Sequence, residues 1–192
     1  MTTHAVLFLN DLDPERYGEA RSHATHYEAV PVLEFEKLLS HVPGETIRRS
    51  TFVDVGAGMG RAVLLASQYP FKSILGIELS PALRAIAGEN VASARGLEVR
   101  CRDVRLVNAD ARNARFPRGD LVVFLYNPFD AEALDDVLDR IEGRAGGGSE
   151  WILYHTPVHA ERILRRGYEL AAELRDGAVY APQRRGFAEA GG

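Results

Sequence analysis

The sequence predicts an α/β fold: a doubly wound, mostly parallel seven-stranded sheet with a C-terminal antiparallel hairpin, in a single domain. Three observations predict it. Short apolar, β-branched runs alternate with helical patterns from residue 51 to about 166, which is how a parallel sheet with covered faces reads. One run breaks directly into a glycine-rich turn that opens a helix. An Asp-Gly pair then stands between two final strand-like runs, a hairpin signal.

In chain order, Val6–Leu9 reads as a short strand or a docking arm, and Asp11–Arg16 around Pro14 as a turn. Residues 1–30 form an N-terminal arm or lid and 31–192 the domain proper. From Pro31 to His41, Val32, Leu33, Phe35, Leu38 and Leu39 recur at helical spacing, and Pro43-Gly44 ends that helix. Thr51–Val55 is the first strand, followed by the glycine turn and a helix from Arg61 to Gln68. Ser73–Ile77 is the second strand, ending in Glu78. Pro81 opens a helix that runs to about Arg95, with Gly96 as its stop. Val104–Val107 and Leu121–Leu125 are further strands, with the helix Ala131–Ile141 after them. Gly146-Gly147-Gly148 reads as a flexible turn before the strand Trp151–Tyr154, and His159–Arg166 as a helix. Tyr168–Leu174 and Ala178–Ala181 make the hairpin around Arg175-Asp176-Gly177.

Composition narrows the function classes. The chain has 192 residues, 46% of them apolar and 26% charged, which suits one domain with a buried core. A net charge of −4 argues against a broad basic face for nucleic acid. The paired arginines 115 and 118, 165 and 166, and 184 and 185 read as solvated surface. Cys101 is the only cysteine, so an internal disulfide is excluded and a spectator thiol expected. No metal site is expected. No apolar run has the length of a membrane span and the first residues lack a signal-peptide pattern, so a cytoplasmic location follows by elimination.

The chemistry is concentrated in Val53-Asp54-Val55-Gly56-Ala57-Gly58-Met59-Gly60-Arg61. A strand turning through several glycines into a helix lets backbone approach a ligand and aims free helix N–H groups at it. In an open α/β sheet this loop lies at the ligand edge. A dinucleotide fingerprint needs a third glycine where Arg61 stands, and Asp54 would repel a pyrophosphate while suiting a cationic amino acid portion. A P-loop is excluded, because no Gly-Lys-Ser/Thr follows. Glu78 ends its strand where an acid accepts from ribose hydroxyls, or serves as a helix N-terminal acid. Asp110 is a ligand acceptor or a turn former. His155 and His159 follow the fifth strand on the ligand edge, as a general base or as surface residues. Tyr126 reads as packing.

With these residues the sequence resembles the class I S-adenosylmethionine (SAM)-dependent methyltransferases over roughly residues 25–185, which implies a Rossmann-like sheet. Within that superfamily it is similar to bacterial proteins related to the catalytic domain of the non-SET histone-lysine methyltransferases. The narrower likeness rests on Phe52–Gly58, Gly60-Arg61, Pro70-Phe71, Gly76–Pro81 and Tyr126-Asn127-Pro128-Phe129. The resemblance implies that Asp54, Gly56, Ala57, Gly58 and Gly60 hold the methionine portion of SAM. It implies Glu78 on the ribose, Leu79 against adenine, Asp110 accepting from the adenine amino group and Ala111 donating its backbone N–H. Asn127, Pro128 and Phe129 would occupy the acceptor position, with Asn127 also beside the cofactor; related amino-methylating enzymes carry two prolines there, and this chain has one. Thr25 and Tyr27 would belong to a lid. The implied reaction is methyl transfer to a nitrogen acceptor, in a protein or small molecule rather than nucleic acid. The alternatives are a small-molecule O-methyltransferase, a non-catalytic SAM-binding protein and, disfavoured by Arg61 and Asp54, an NAD-dependent oxidoreductase.

Overall fold

A seven-stranded sheet in the order β3-β2-β1-β4-β5-β7-β6 organises the protein. The computed structural model describes residues 29–94, 96–126 and 130–182. The strands are β1 (Thr51–Val55), β2 (Ser73–Glu78), β3 (Val104–Asn108), β4 (Gly119–Tyr126), β5 (Gly147–His155), β6 (Glu169–Leu174) and β7 (Gly177–Ala181). The helices are α1 (Val32–Ser40), α2 (Gly44–Arg49), α3 (Arg61–Ala66), α4 (Pro81–Ser93), α5 (Ala131–Glu142) and α6 (Ala160–Arg165). β1 to β5 pair in parallel, and β7 alone runs against them, inserted between β5 and β6.

Strands buried on both faces require helices on both faces, and the core divides accordingly. On one face Phe52, Ile74, Val122, Phe124, Leu153 and Val179 pack beneath α1, α2 and α3. Phe35 of α1 meets Phe52 and Phe124 edge-on, with centroids 5.8 and 5.5 Å apart. On the other face Val53, Ile77, Val123, Leu125 and Ile152 pack against Leu134, Val137, Leu138 and Ile141 of α5 and Ile163 of α6. Burial of these side chains contributes roughly 1.5–3 kcal/mol each. No helix among the described residues is long and apolar enough to cross a membrane.

Four expectations need correction. The six-residue α2 follows Pro43, where the sequence pattern shows only a stop; so short a helix displays no period. The glycine run is not a free turn: β5 begins at Gly147, and a Cβ on Gly148 would stand 2.5 Å from the Gly119 carbonyl carbon and 2.7 Å from the Asp120 nitrogen. Glycine is there because β4 and β5 approach too closely for a side chain. The hairpin loop is Arg175-Asp176, and Gly177 already pairs with Leu174 on β7, where a Cβ would press on Leu38 and the Tyr154 carbonyl. Finally, Arg166 is not solvated surface: its guanidinium binds Asp135, Asp139 and Glu142 and ties α6 to α5. These carboxylates hold its pKa above the ordinary arginine value against the opposing effect of burial.

Candidate active site

The strand order reverses between β1 and β4, and in such sheets ligands bind beyond the carboxyl ends of the strands at that switch. The register puts a continuous set of side chains there. Asp54 alternates with Val53 and Val55, so it points to the α1–α3 face, as do Glu78 of β2, Tyr126 of β4 and His155 of β5. Tyr126 lies opposite His155, which lies opposite Gly177.

On the β1–β2 side the glycine turn is fixed by its own bonds. Gly56, Gly58 and Gly60 have φ of 81°, 53° and 84°, a region costly for other residues. The amides of Gly56 and Ala57 donate to the Ile77 carbonyl, both at 2.9 Å, and that of Gly60 to Ala57 at 2.8 Å. The Gly58 amide donates to Glu78 Oε2 at 2.7 Å, and the Ser80 amide to Oε1 at 2.8 Å. The amides of Gly56, Ala57, Gly58 and Gly60 are spent on holding the shape of the loop. A Cβ on Gly60 would lie 3.1 Å from Ala87 Cβ, so this glycine also permits the close packing of the loop on α4.

Asp54 is 3% exposed. Burial, together with the nearby Glu78 carboxylate, raises its pKa to about 7. Two acids in one apolar setting make a site that gains from a cation. Leu79, the next residue after Glu78, is 68% exposed and offers an apolar surface at the same edge. Ala111 is buried. Asp110 behaves as a turn former: its carboxylate accepts from the Arg112 amide at 2.9 Å and from the Arg112 guanidinium, which lowers its pKa.

Two supporting residues escaped the sequence reading. Asn90 donates Nδ2 to the Met59 carbonyl at 2.9 Å, and Asn108 donates to the carbonyls of Glu78 and Leu79 at 2.9 and 2.7 Å. Each reaches its partner across some thirty residues of chain, so no local pattern marks it. Gly76 lies under the loop, where a Cβ would meet Leu106, Val63 and Ala57 at 2.6, 3.0 and 3.1 Å.

On the β4–β5 side the lining is aromatic. The Tyr126 and His155 rings meet edge-on, with centroids 4.3 Å apart. His155 is 5% exposed, and its Nδ1 lies 3.1 Å from Thr156 Oγ1. His159 is the N-terminal flanking residue of α6 and is half-buried. Cys101 is buried beside Ser67, away from this edge, with its thiol pKa raised by burial. Asn127, Pro128 and Phe129, with Thr25 and Tyr27, lie outside the described residues.

No protein-family model matches the chain, and no curated protein sequence matches it. Solved structures do. The proposed methyltransferase yhhF from Escherichia coli superposes with a TM-score of 0.58 at 18% identity, over 79% of this chain and 84% of that one. The chain has the class I methyltransferase fold. A SAM-dependent methyltransferase from Leishmania major gives 0.60 at 14% identity, over 92% and 86% of the two chains. The glycopeptide N-methyltransferase MtfA, complexed with sinefungin, gives 0.57 at 15%, over 81% and 87%. At these identities the likeness is one of fold.

Proposed function

We propose that this protein is a SAM-dependent methyltransferase acting on a nitrogen acceptor. The observation that carries the reading is the buried Asp54 beside Glu78, beneath a glycine turn at the switch point of the sheet. A sulfonium and an α-ammonium make SAM a cation at this end, and a site with two carboxylates and little water favours it. NAD brings a pyrophosphate to the same loop, where these acids oppose it. Arg61 stands where the third dinucleotide glycine would be, and the loop packs closely on Ala87 of α4 at Gly60.

The chain's own residues fit the group. Asp54 and the turn Gly56–Gly60 would hold its amino acid portion, and exposed Leu79 would cover one face of the adenine. Glu78 braces the turn and would accept from the ribose hydroxyls. Asp110 and Ala111 would meet the adenine edge once Asp110 exchanges Arg112 for it. When bound, SAM supplies an activated methyl group, so the protein's task is alignment and exclusion of water. Asn127, Pro128 and Phe129 directly follow Tyr126, and we assign them to the acceptor, with residues 1–30 as an arm over it. The kinship with bacterial relatives of the non-SET lysine methyltransferases and residence in the cytoplasm belong to the same proposal. The acceptor is a protein or small-molecule amine.

Equilibrium dialysis with methyl-labelled SAM tests the reading. Saturable retention, displaced by S-adenosylhomocysteine (SAH) and indifferent to NAD, is the expected result; retention of NAD without SAM would overturn it.

A further inference from the structure

Asp110 stands at the ligand edge already occupied, and its occupant brings the same kind of donor that an adenine would bring. We propose that Arg112 is a built-in competitor for the adenine place on Asp110 and that Asp136 of α5 receives the displaced guanidinium when the cofactor binds, an inference that rests on the methyltransferase reading above.

β3 ends beside β2: Asn108 pairs with Glu78, and the next amide, that of Ala109, donates to the Glu78 carbonyl at 3.0 Å. Asp110 therefore follows directly on the strand end that carries the brace of the glycine turn. Its carboxylate makes two kinds of bond with Arg112. The Arg112 amide donates to Oδ1 at 2.9 Å, which is all that a turn of this type requires and which any residue but proline would supply. The guanidinium adds a second layer. Nε donates to Oδ1 and Oδ2 at 3.1 and 3.0 Å, and Nη2 donates to Oδ2 at 2.6 Å. Both oxygens are thus engaged by a cation that the turn itself does not need. An adenine amino group reaches this carboxylate only by taking the place of a guanidinium N–H.

The guanidinium has a second carboxylate to go to. The Arg112 carbonyl accepts from Arg140 Nε at 2.8 Å, so the backbone is tied to α5 while the side chain, 51% exposed, has room to turn. A groove of about 400 Å³ lies between this turn and α5, lined by Arg112, Asn113, Asp136, Asp139 and Arg140. The acids around it are not equivalent. Asp139 is bound to Arg166, and Asp130 caps α5 by accepting from the Ala133 amide at 2.9 Å. Asp136 is exposed, has no ion-pair partner among the described residues, and its charge already acts on Arg112. One cation thus faces two carboxylates, and a ligand that claims Asp110 moves it to Asp136. An ordinary surface ion pair would show the same bonds but would be indifferent to the amino group of a ligand.

Isothermal titration of the full-length protein at low ionic strength separates the two cases. The ligands are SAH and S-inosylhomocysteine, which carries a carbonyl oxygen in place of the adenine amino group. Arg112→Ala keeps the backbone bond of the turn and should bind SAH roughly threefold more tightly than the parent, in line with an exposed ion pair. The gain should shrink at about 0.5 M salt, be absent for the inosyl analogue, and vanish when Asp110→Asn is added. Asp136→Asn should weaken SAH binding roughly twofold in the parent and change nothing in Arg112→Ala, where no guanidinium needs a place. SAH affinity unchanged or lowered in Arg112→Ala, an equal gain for the inosyl analogue, or an Asp136→Asn variant that binds like the parent overturns the proposal, while SAH binding itself keeps the methyltransferase reading. Failure of the parent to bind SAH overturns both.

Discussion

The two halves of the carboxyl edge reach order by opposite means. On the β1–β2 half, short-range backbone bonds close a glycine turn, and one carboxylate, Glu78, ties Gly58 to Ser80. On the β4–β5 half, side chains from separate strands meet through register alone, and the local cost is a strained Thr156. The first half stores electrostatic tension, two acids in an apolar setting; the second stores conformational tension. The electrostatic tension is one that a cation over Asp54 and Glu78 would release. An edge divided this way suits two substrates whose reacting atoms must meet in the middle.

The largest effect is expected for Gly76→Val, which drives a side chain into Leu106, Val63 and Ala57 below the glycine turn. It should cost about 3 kcal/mol or more, a fall in melting temperature of roughly 10 °C, measurable by calorimetry. Asp54→Asn should have the opposite sign. The folded pKa of about 7 lies above the unfolded value, so the folded state binds the extra proton and stability falls as pH rises through that window. The variant should be more stable than the parent by on the order of 3 kcal/mol above about pH 7, the difference closing towards pH 4, as followed by urea titration at several pH values. Glu78→Gln places an NH2 group against one of two amides that both donate, Gly58 or Ser80. A net loss of about 2 kcal/mol is expected, with the Asp54 pKa lowered because the like charge is gone. Thr156→Gly should be the smallest: relief of strain stabilises by about 1 kcal/mol, seen as a higher urea midpoint, and an unchanged or lower midpoint would remove the strain argument.

The same division explains what could be read in the sequence. β1, the turn and α4 were legible because their signals are local: Asp54 before three glycines, and Ser80-Pro81 at a helix start, where Ser80 does accept from Leu83. The seven-stranded sheet with its reversed strand was legible from alternation and the Asp-Gly pair, although Gly177 turned out to serve packing against Leu38. Glycine marks two different physical needs, positive φ at Gly60 and close approach at Gly148, and the sequence does not distinguish them. Asn90, Asn108 and the Thr156–His155 pair were not legible, since their meaning depends on distant strands or on one backbone dihedral. Arg166 was misread for the same reason, its three carboxylates lying on another helix.

Calorimetric titration of SAM across pH tests most directly whether the buried Asp54 meets a cationic cofactor. With an Asp54 pKa of about 7 and ionised Asp54 as the binding form, affinity should rise roughly 25-fold between about pH 5.5 and pH 7.5. The Asp54→Asn variant should bind weakly and without that dependence. SAM affinity independent of pH in the parent, or undiminished in the variant, would contradict the account, and absence of SAM binding would end it.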